Sequence, residues 1–102
     1  MFRVLVVDDE PAIRAQLEES LQEAGYETMS AADGAEAAEL ALRHAFDLCL
    51  SDIRMPHMGG IELLERLSAT SPETMFMLMT AFGGLDTAVE ALRLGAVDYL
   101  LK

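Results

Sequence analysis

The sequence contains little of what a disulfide-bonded, aromatic-rich or membrane-spanning protein requires. Its 102 residues include a single cysteine, Cys49, and no tryptophan. One cysteine excludes an internal disulfide and is compatible with a reducing compartment, so we expect a cytoplasmic protein. No apolar run approaches the roughly 20 residues that span a bilayer, and residues 1–4 lead directly into a strand-like segment instead of a signal peptide. We therefore expect no association with a membrane.

Basic residues are scarce as well. Seven lysines and arginines stand against 18 acidic residues, which gives a formal net charge of −11. A surface of this sign repels the phosphate backbone of nucleic acids, so we expect no direct binding of DNA or RNA by this segment. Any DNA-related role would have to come from a different domain, because the length of the chain suits one domain, residues 1–102, and not two.

Apolar runs alternate along the chain with stretches of helical periodicity. The pattern predicts strands at residues 4–7, 27–31, 47–51, 75–79 and 97–101, and helices at residues 11–24, 33–44, from 61 onward and 85–94. Nearly all of the central strands are continuous apolar runs, which is typical of a parallel sheet covered by helices on both faces. The sequence therefore predicts an α/β fold, with the weaker second strand at an edge of the sheet.

Polar side chains follow four of the predicted strands. Asp8 and Asp9 come directly after the first strand, Asp52 after the third, Thr80 after the fourth and Lys102 after the fifth. In an open parallel sheet, ligands bind at the carboxyl ends of the strands. The topology should therefore bring three carboxylates, one hydroxyl and one amine to the same edge.

The chemistry of these side chains points to a metal-assisted phosphoacceptor. Close carboxylates repel one another unless a cation lies between them, and a few aspartates with water in the remaining positions are typical of a Mg²⁺ site. A carboxylate beside that metal can attack phosphorus, while Lys102 and Thr80 bind the phosphoryl oxygens. An Asp-Asp pair after a strand is usually a solvated turn. The joint arrangement on four strands is much harder to produce by chance and favours a functional site.

Four short motifs of the chain resemble the receiver family of response regulators: VVDDEP at residues 6–11, DIRMP at residues 52–56 with Gly59 and Gly60 after it, TAFG at residues 80–83, and DYLLK at residues 98–102. The resemblance covers the whole chain. It implies a doubly wound, five-stranded parallel sheet with the flavodoxin-like strand order 2-1-3-4-5. The last third is most similar to receivers of transcriptional regulators that carry ATPase and DNA-binding output domains.

The resemblance also implies a role for each residue of the acidic edge. Asp52 is expected to accept a phosphoryl group from a histidine kinase or a phosphotransfer protein. Asp9, Asp52 and the backbone carbonyl of Arg54 are expected to bind Mg²⁺ directly, and Asp8 to act largely through water.

A second set of residues is expected to bind the phosphoryl group and to switch with it: Thr80, Ala81, Tyr99 and Lys102. Arg54 and Phe82 are expected to flank the path of the hydrolytic water. A bulky cation and an apolar ring obstruct that water, so the phosphorylated protein should be long-lived.

Two other functions compete with that of a signalling switch. A small Mg²⁺-dependent phosphatase can also use an aspartate nucleophile, but it generally needs a second aspartate two residues later. Here that position is Arg54, which cannot donate a proton at neutral pH. A receiver-like interaction module without phosphorylation is disfavoured by the intact set of Asp9, Asp52, Thr80 and Lys102. We therefore expect a switch that controls an output domain or partner, with at most self-catalysed phosphotransfer and slow autodephosphorylation.

Receivers normally continue with a proline after the lysine and then a fifth helix, whereas the given sequence stops at Lys102. Four predicted helices for five strands would leave part of the apolar strands at 75–79 and 97–101 open to water. Either the final helix is missing by truncation after the fifth strand, or a neighbouring chain covers these strands. We favour truncation, with homo-oligomer formation as a consequence.

Overall fold

The computed structural model describes residues 1–53, 55, 57–80, 93 and 98–101, the side chains of 80 and 98–101 excepted. The elements in chain order are β1 (Arg3–Val7), α1 (Pro11–Glu23), β2 (Glu27–Ala31), α2 (Gly34–Arg43), β3 (Leu48–Asp52), α3 (Gly60–Thr70), β4 (Met75–Thr80) and β5 (Asp98–Leu101). All five strands are parallel, in the order β2-β1-β3-β4-β5. This confirms the predicted doubly wound sheet. Of the helix predicted at residues 85–94, the structure describes Arg93 alone, which is helical.

The strand bounds follow the prediction to within about one residue, and β3 is shifted by one residue at each end. Asp47 directly precedes the strand, and its backbone bonds to both neighbouring strands at their starts. Its N–H donates to the carbonyl of Arg3 at 2.9 Å, and its carbonyl accepts from Met75 at 3.0 Å. At the other end β3 extends to Asp52, which is paired with Met79 of β4. The acceptor candidate is therefore the last residue of a central strand.

Each face of the sheet is packed against helices, because successive strand residues point to opposite faces. The larger buried cluster joins one face of the sheet to α2 and α3 and contains Leu5, Val7, Cys49, Phe76, Leu78, Ala37, Ala38, Leu63, Leu64 and Leu67, among others. The smaller cluster contains Val4, Val6, Leu50 and Met79 and packs against Leu17 and Leu21 of α1. Burying each large aliphatic side chain stabilises the fold by about 1.5–3 kcal/mol.

The start of α2 is held by its N-cap residue. The Asp33 carboxylate accepts a hydrogen bond from the backbone N–H of Glu36 at 2.9 Å. A cap of this type contributes about 1 kcal/mol to helix stability. The Glu36 carboxylate in turn accepts from the N–H of Ala32 at 3.4 Å. These bonds place the first turn of α2 at the carboxyl edge of the sheet.

In the part of the chain that the structure describes, no helix is both long enough and apolar enough to cross a bilayer. The longest of them, α1, has 13 residues, which is well below the roughly 20 that a transmembrane helix needs.

The buried thiol of Cys49 predicts a pH dependence of stability. Burial raises the pKa of Cys49 above its ordinary value of 9.0. Above pH 9 the unfolded chain therefore loses this proton while the folded chain keeps it. The free energy of unfolding should fall by about 1.4 kcal/mol per pH unit from this group alone.

The free energy of unfolding in urea, measured for the wild type and for Cys49→Ala below and above pH 9, checks this prediction. The variant should decline less steeply, because every other titrating group is common to the two proteins. Equal slopes would show that the thiol titrates alike in the folded and unfolded states.

Candidate functional site

An acidic cluster lies at the carboxyl end of β1. Asp8 is buried, Asp9 and Glu10 are exposed, and each of the three can place a carboxylate oxygen within 4.8 Å of the other two. The Asp8 carboxylate accepts from the N–H of Glu10 at 3.0 Å, and Arg14 donates to the Asp8 carbonyl at 2.7 Å. Three close carboxylate oxygens are the hard donors that Mg²⁺ prefers, so these residues fit the predicted metal.

Glu10 was missing from the predicted metal set, although it directly follows the Asp-Asp pair in the sequence. Its backbone turns back towards Asp8 at the start of α1, which brings its side chain to the same place. Asp52 is not part of this particular group. The structure therefore adds a third carboxylate from the first strand end to the predicted site.

Asp52 lies at the next strand end. β1 and β3 are neighbours, and Val7 lies opposite Ser51. The next residue of each chain segment is Asp8, just after β1, and Asp52, at the end of β3, so the two lie side by side along the edge. Asp52 is 8% exposed, and the Ser51 hydroxyl donates to its carbonyl at 2.8 Å. The predicted acceptor is thus a nearly buried residue at the end of a central strand, beside the acidic cluster.

The start of α3 closes tightly over the same strand end. The N–H of Gly60 donates to the Ile53 carbonyl at 2.8 Å. A Cβ atom on Gly60 would overlap the backbone carbonyl of Asp52 and lie 2.9 Å from a methyl group of Leu78. Only a residue without a side chain allows this approach. Gly60 belongs to one of the sequence motifs, and this contact is the physical reason for a glycine at that position.

The remaining predicted site residues are described in part. Thr80 is the last residue of β4 and follows Met79, the register partner of Asp52, so the backbone of Thr80 reaches the same edge. Tyr99 lies in β5 opposite Leu78. The other four predicted residues lie outside the described part of the chain: Arg54, Ala81, Phe82 and Lys102.

The sequence matches the family model of the response regulator receiver domain over residues 4–102. Among curated relatives, the response regulator protein PilR of Pseudomonas aeruginosa is 45% identical over 100 residues, which cover 98% of this chain and 22% of PilR. The transcriptional regulatory protein ZraR of Klebsiella oxytoca is 43% identical over 99 residues, covering 97% of this chain and 22% of ZraR. The chain therefore spans about a fifth of the length of these relatives.

Two solved structures with the same fold contain bound groups. The response regulator TrrA of Thermotoga maritima, in complex with Mg²⁺ and BeF, has a TM-score of 0.90 and 36% identity, covering 100% of this chain and 87% of TrrA. A response regulator of Burkholderia pseudomallei with a phosphorylated aspartic acid and a calcium ion has a TM-score of 0.95 and 28% identity, covering 100% of this chain and 60% of that protein.

The contact between Gly60 and the end of β3 predicts a strong effect of adding one methyl group. Gly60→Ala should lower the free energy of unfolding by about 1–3 kcal/mol, the usual cost of overpacking a close contact. Gly59→Ala is the matched control, because a Cβ there meets only the Ile53 carbonyl at 3.0 Å.

Urea unfolding of the two variants measures the difference. The prediction requires a clearly larger loss at Gly60 than at Gly59. A Gly60→Ala protein as stable as the wild type would mean that α3 does not approach Asp52 this closely.

Proposed function

This chain belongs to the response regulator receiver domain family, and from this membership we propose that it is a phosphoacceptor switch of a two-component system. Asp52 is the proposed acceptor, and a histidine kinase or phosphotransfer protein is the proposed donor. The observation that carries the proposal is the position of Asp52, nearly buried at a strand end beside the acidic cluster of Asp8, Asp9 and Glu10.

The proposed reaction is a transfer of a phosphoryl group to the carboxylate of Asp52. A carboxylate oxygen attacks phosphorus, the bond from phosphorus to the donor breaks, and an acyl phosphate remains on the protein. Asp9, Asp52 and the carbonyl of Arg54 would hold Mg²⁺, with Asp8 acting through water. When bound, the metal neutralises the charge of the phosphoryl oxygens and of the carboxylates. The Mg²⁺ complex of the Thermotoga relative supports the choice of Mg²⁺ as the metal.

We propose that residues at the ends of the fourth and fifth strands respond to the phosphoryl group and so transmit the signal. Thr80 and Lys102 bind the phosphoryl oxygens, and Ala81 and Tyr99 move with Thr80. Support comes from the register, because Thr80 follows the partner of Asp52 on the adjacent strand. Arg54 and Phe82 are proposed to restrict the attacking water and so to lengthen the life of the acyl phosphate.

The output is proposed to be the control of another domain or protein. ZraR is a transcriptional regulatory protein, and this chain corresponds to about a fifth of it. We propose a similar regulatory output here, in the cytoplasm, where the lone buried thiol of Cys49 needs no oxidising conditions. Receiver domains are signalling domains rather than dedicated enzymes, so any catalysis is confined to the domain's own phosphorylation and dephosphorylation.

The proposed acceptor predicts the effect of Asp52→Asn. With Mg²⁺ and acetyl phosphate, intact mass measurement should show one added phosphoryl group on the wild type, labile to hydroxylamine. Asp52→Asn should remain unmodified, because an amide is a poor nucleophile. Asp47→Asn is the matched control, because Asp47 directly precedes β3 at the end opposite Asp52. This variant should be modified like the wild type.

Comparable modification of Asp52→Asn would refute the assignment of the acceptor. Steady release of phosphate from varied esters by the wild type would favour the phosphatase alternative instead.

The proposed metal site predicts that Mg²⁺ stabilises the fold. A ligand that binds only the folded state contributes RT ln(1 + [Mg²⁺]/Kd), about 2.7 kcal/mol at a hundredfold excess over Kd. Asp9→Ala should remove most of this gain by deleting a direct ligand. Glu73→Ala removes an exposed carboxylate at the far end of the sheet and should keep the gain. Thermal unfolding with and without Mg²⁺ tests the prediction, and a melting temperature indifferent to Mg²⁺ in the wild type would contradict it.

A further inference from the structure

The loop that follows Asp52 is attached to a helix from a distant part of the sequence. We call the described residues 53, 55 and 57–59 the acceptor loop. Its first residue, Ile53, donates to the Met79 carbonyl at 3.1 Å and accepts from Gly60 at 2.8 Å. Near its end, the carbonyl of Met58 accepts a hydrogen bond from the N–H of Gly34, the first residue of α2, at 3.0 Å. The loop is therefore held by the sheet, by α3 and by α2.

The contact between Gly34 and Met58 leaves no room for a side chain. A Cβ atom on Gly34 would lie 2.5 Å from the Met58 carbonyl oxygen and 2.8 Å from its Cβ and Cγ atoms. A carbonyl oxygen cannot avoid such an overlap by changing rotamer, so any larger residue must push the loop backbone and the start of α2 apart. Glycine is a poor residue within a helix by its own propensity. This contact explains its presence at the buried first position of α2.

The conformation of the acceptor loop depends on such attachments. His57, next to Met58, has a φ of 67°, a left-handed conformation that a non-glycine residue rarely adopts. Conformations of this kind persist when surrounding contacts determine them. Met55 and Met58 supply further contacts, because both are half-buried and pack against the core cluster of α2 and α3. The sequence alone assigns these two methionines no role, whereas the structure shows that both pack against this cluster.

We infer that Gly34 is a positioning residue, which acts through Met58 to set the shape of the acceptor loop and hence the geometry of the site around Asp52. This inference rests on the proposed function, in which a carbonyl of that loop and the Asp52 carboxylate hold Mg²⁺. Metal sites require ligand distances within about 0.2 Å, and close-packed interiors transmit a displacement instead of absorbing it. A shift of Met58 therefore reaches the site.

The test compares Gly34→Ala with Leu40→Ala. Leu40 lies in the same helix and packs against the same core, so its truncation destabilises α2 without adding an atom beside the loop. Gly34→Ala should weaken Mg²⁺ binding in calorimetry about tenfold, the usual scale for residues that support metal ligands. It should also slow modification by acetyl phosphate and shift the metal-free amide resonances of Ile53, Met58 and Gly59. Leu40→Ala should lower the melting temperature but keep the wild-type Mg²⁺ affinity.

A second variant, Met58→Gly, weakens the same contact from the loop side without any overlap with α2. It should also reduce Mg²⁺ affinity, even if Gly34→Ala fails to fold. Wild-type Mg²⁺ affinity in the folded variants at both positions, or an equal loss in Leu40→Ala, would overturn the inference. A wild-type protein that neither binds Mg²⁺ nor forms an acyl phosphate would overturn the proposed function, and the inference with it.

Discussion

The pairing of β1 with β3 is the constraint on which the site depends. With Val7 opposite Ser51 in the centre of a parallel sheet, both strands end at the same edge. Asp8 directly follows β1, and Asp52 is the last residue of β3. A shift of the register by one residue would turn the side chains of one strand to the other face of the sheet. The buried residues on both faces prevent such a shift, because Val4, Leu5, Val6 and Val7 are all almost completely enclosed. Hydrophobic packing thus determines where the carboxylates lie.

Close backbone contact is the second feature that organises the site. Gly60 brings the start of α3 onto the carbonyl of Asp52, and Gly34 brings the start of α2 onto that of Met58. Both glycines occupy the first position of a helix at the carboxyl edge of the sheet. Two helices therefore contact the same loop from different sides, at Ile53 and at Met58, and the missing side chains of the two glycines allow these close contacts.

The acidic edge also shows how a charged site is compatible with a stable fold. Asp8 is buried, yet its carboxylate accepts a hydrogen bond from a backbone N–H and its carbonyl accepts one from Arg14. Buried polar groups are tolerated when they are hydrogen-bonded. Asp9 and Glu10 remain exposed to solvent. The site thus combines a fixed inner carboxylate with accessible outer ones.

The sequence by itself determined the class of fold, the strand order through its family resemblance, and the residues at the strand ends. It could do so because apolar periodicity reports burial directly, and because a parallel sheet collects its carboxyl ends at one edge. Bounds such as that of β3 were less certain, since the backbone bonds of Asp47 to Arg3 and Met75 depend on strands far apart in sequence.

Only the tertiary structure decided which groups lie within contact distance. It added Glu10 to the acidic cluster and gave Gly34, Met55 and Met58 a place around the acceptor loop. A linear pattern records which face a residue occupies, but not how closely two backbones from separate elements approach. That distance is set by the packing of α2 and α3 on the sheet as a whole, and no local segment of the sequence encodes it.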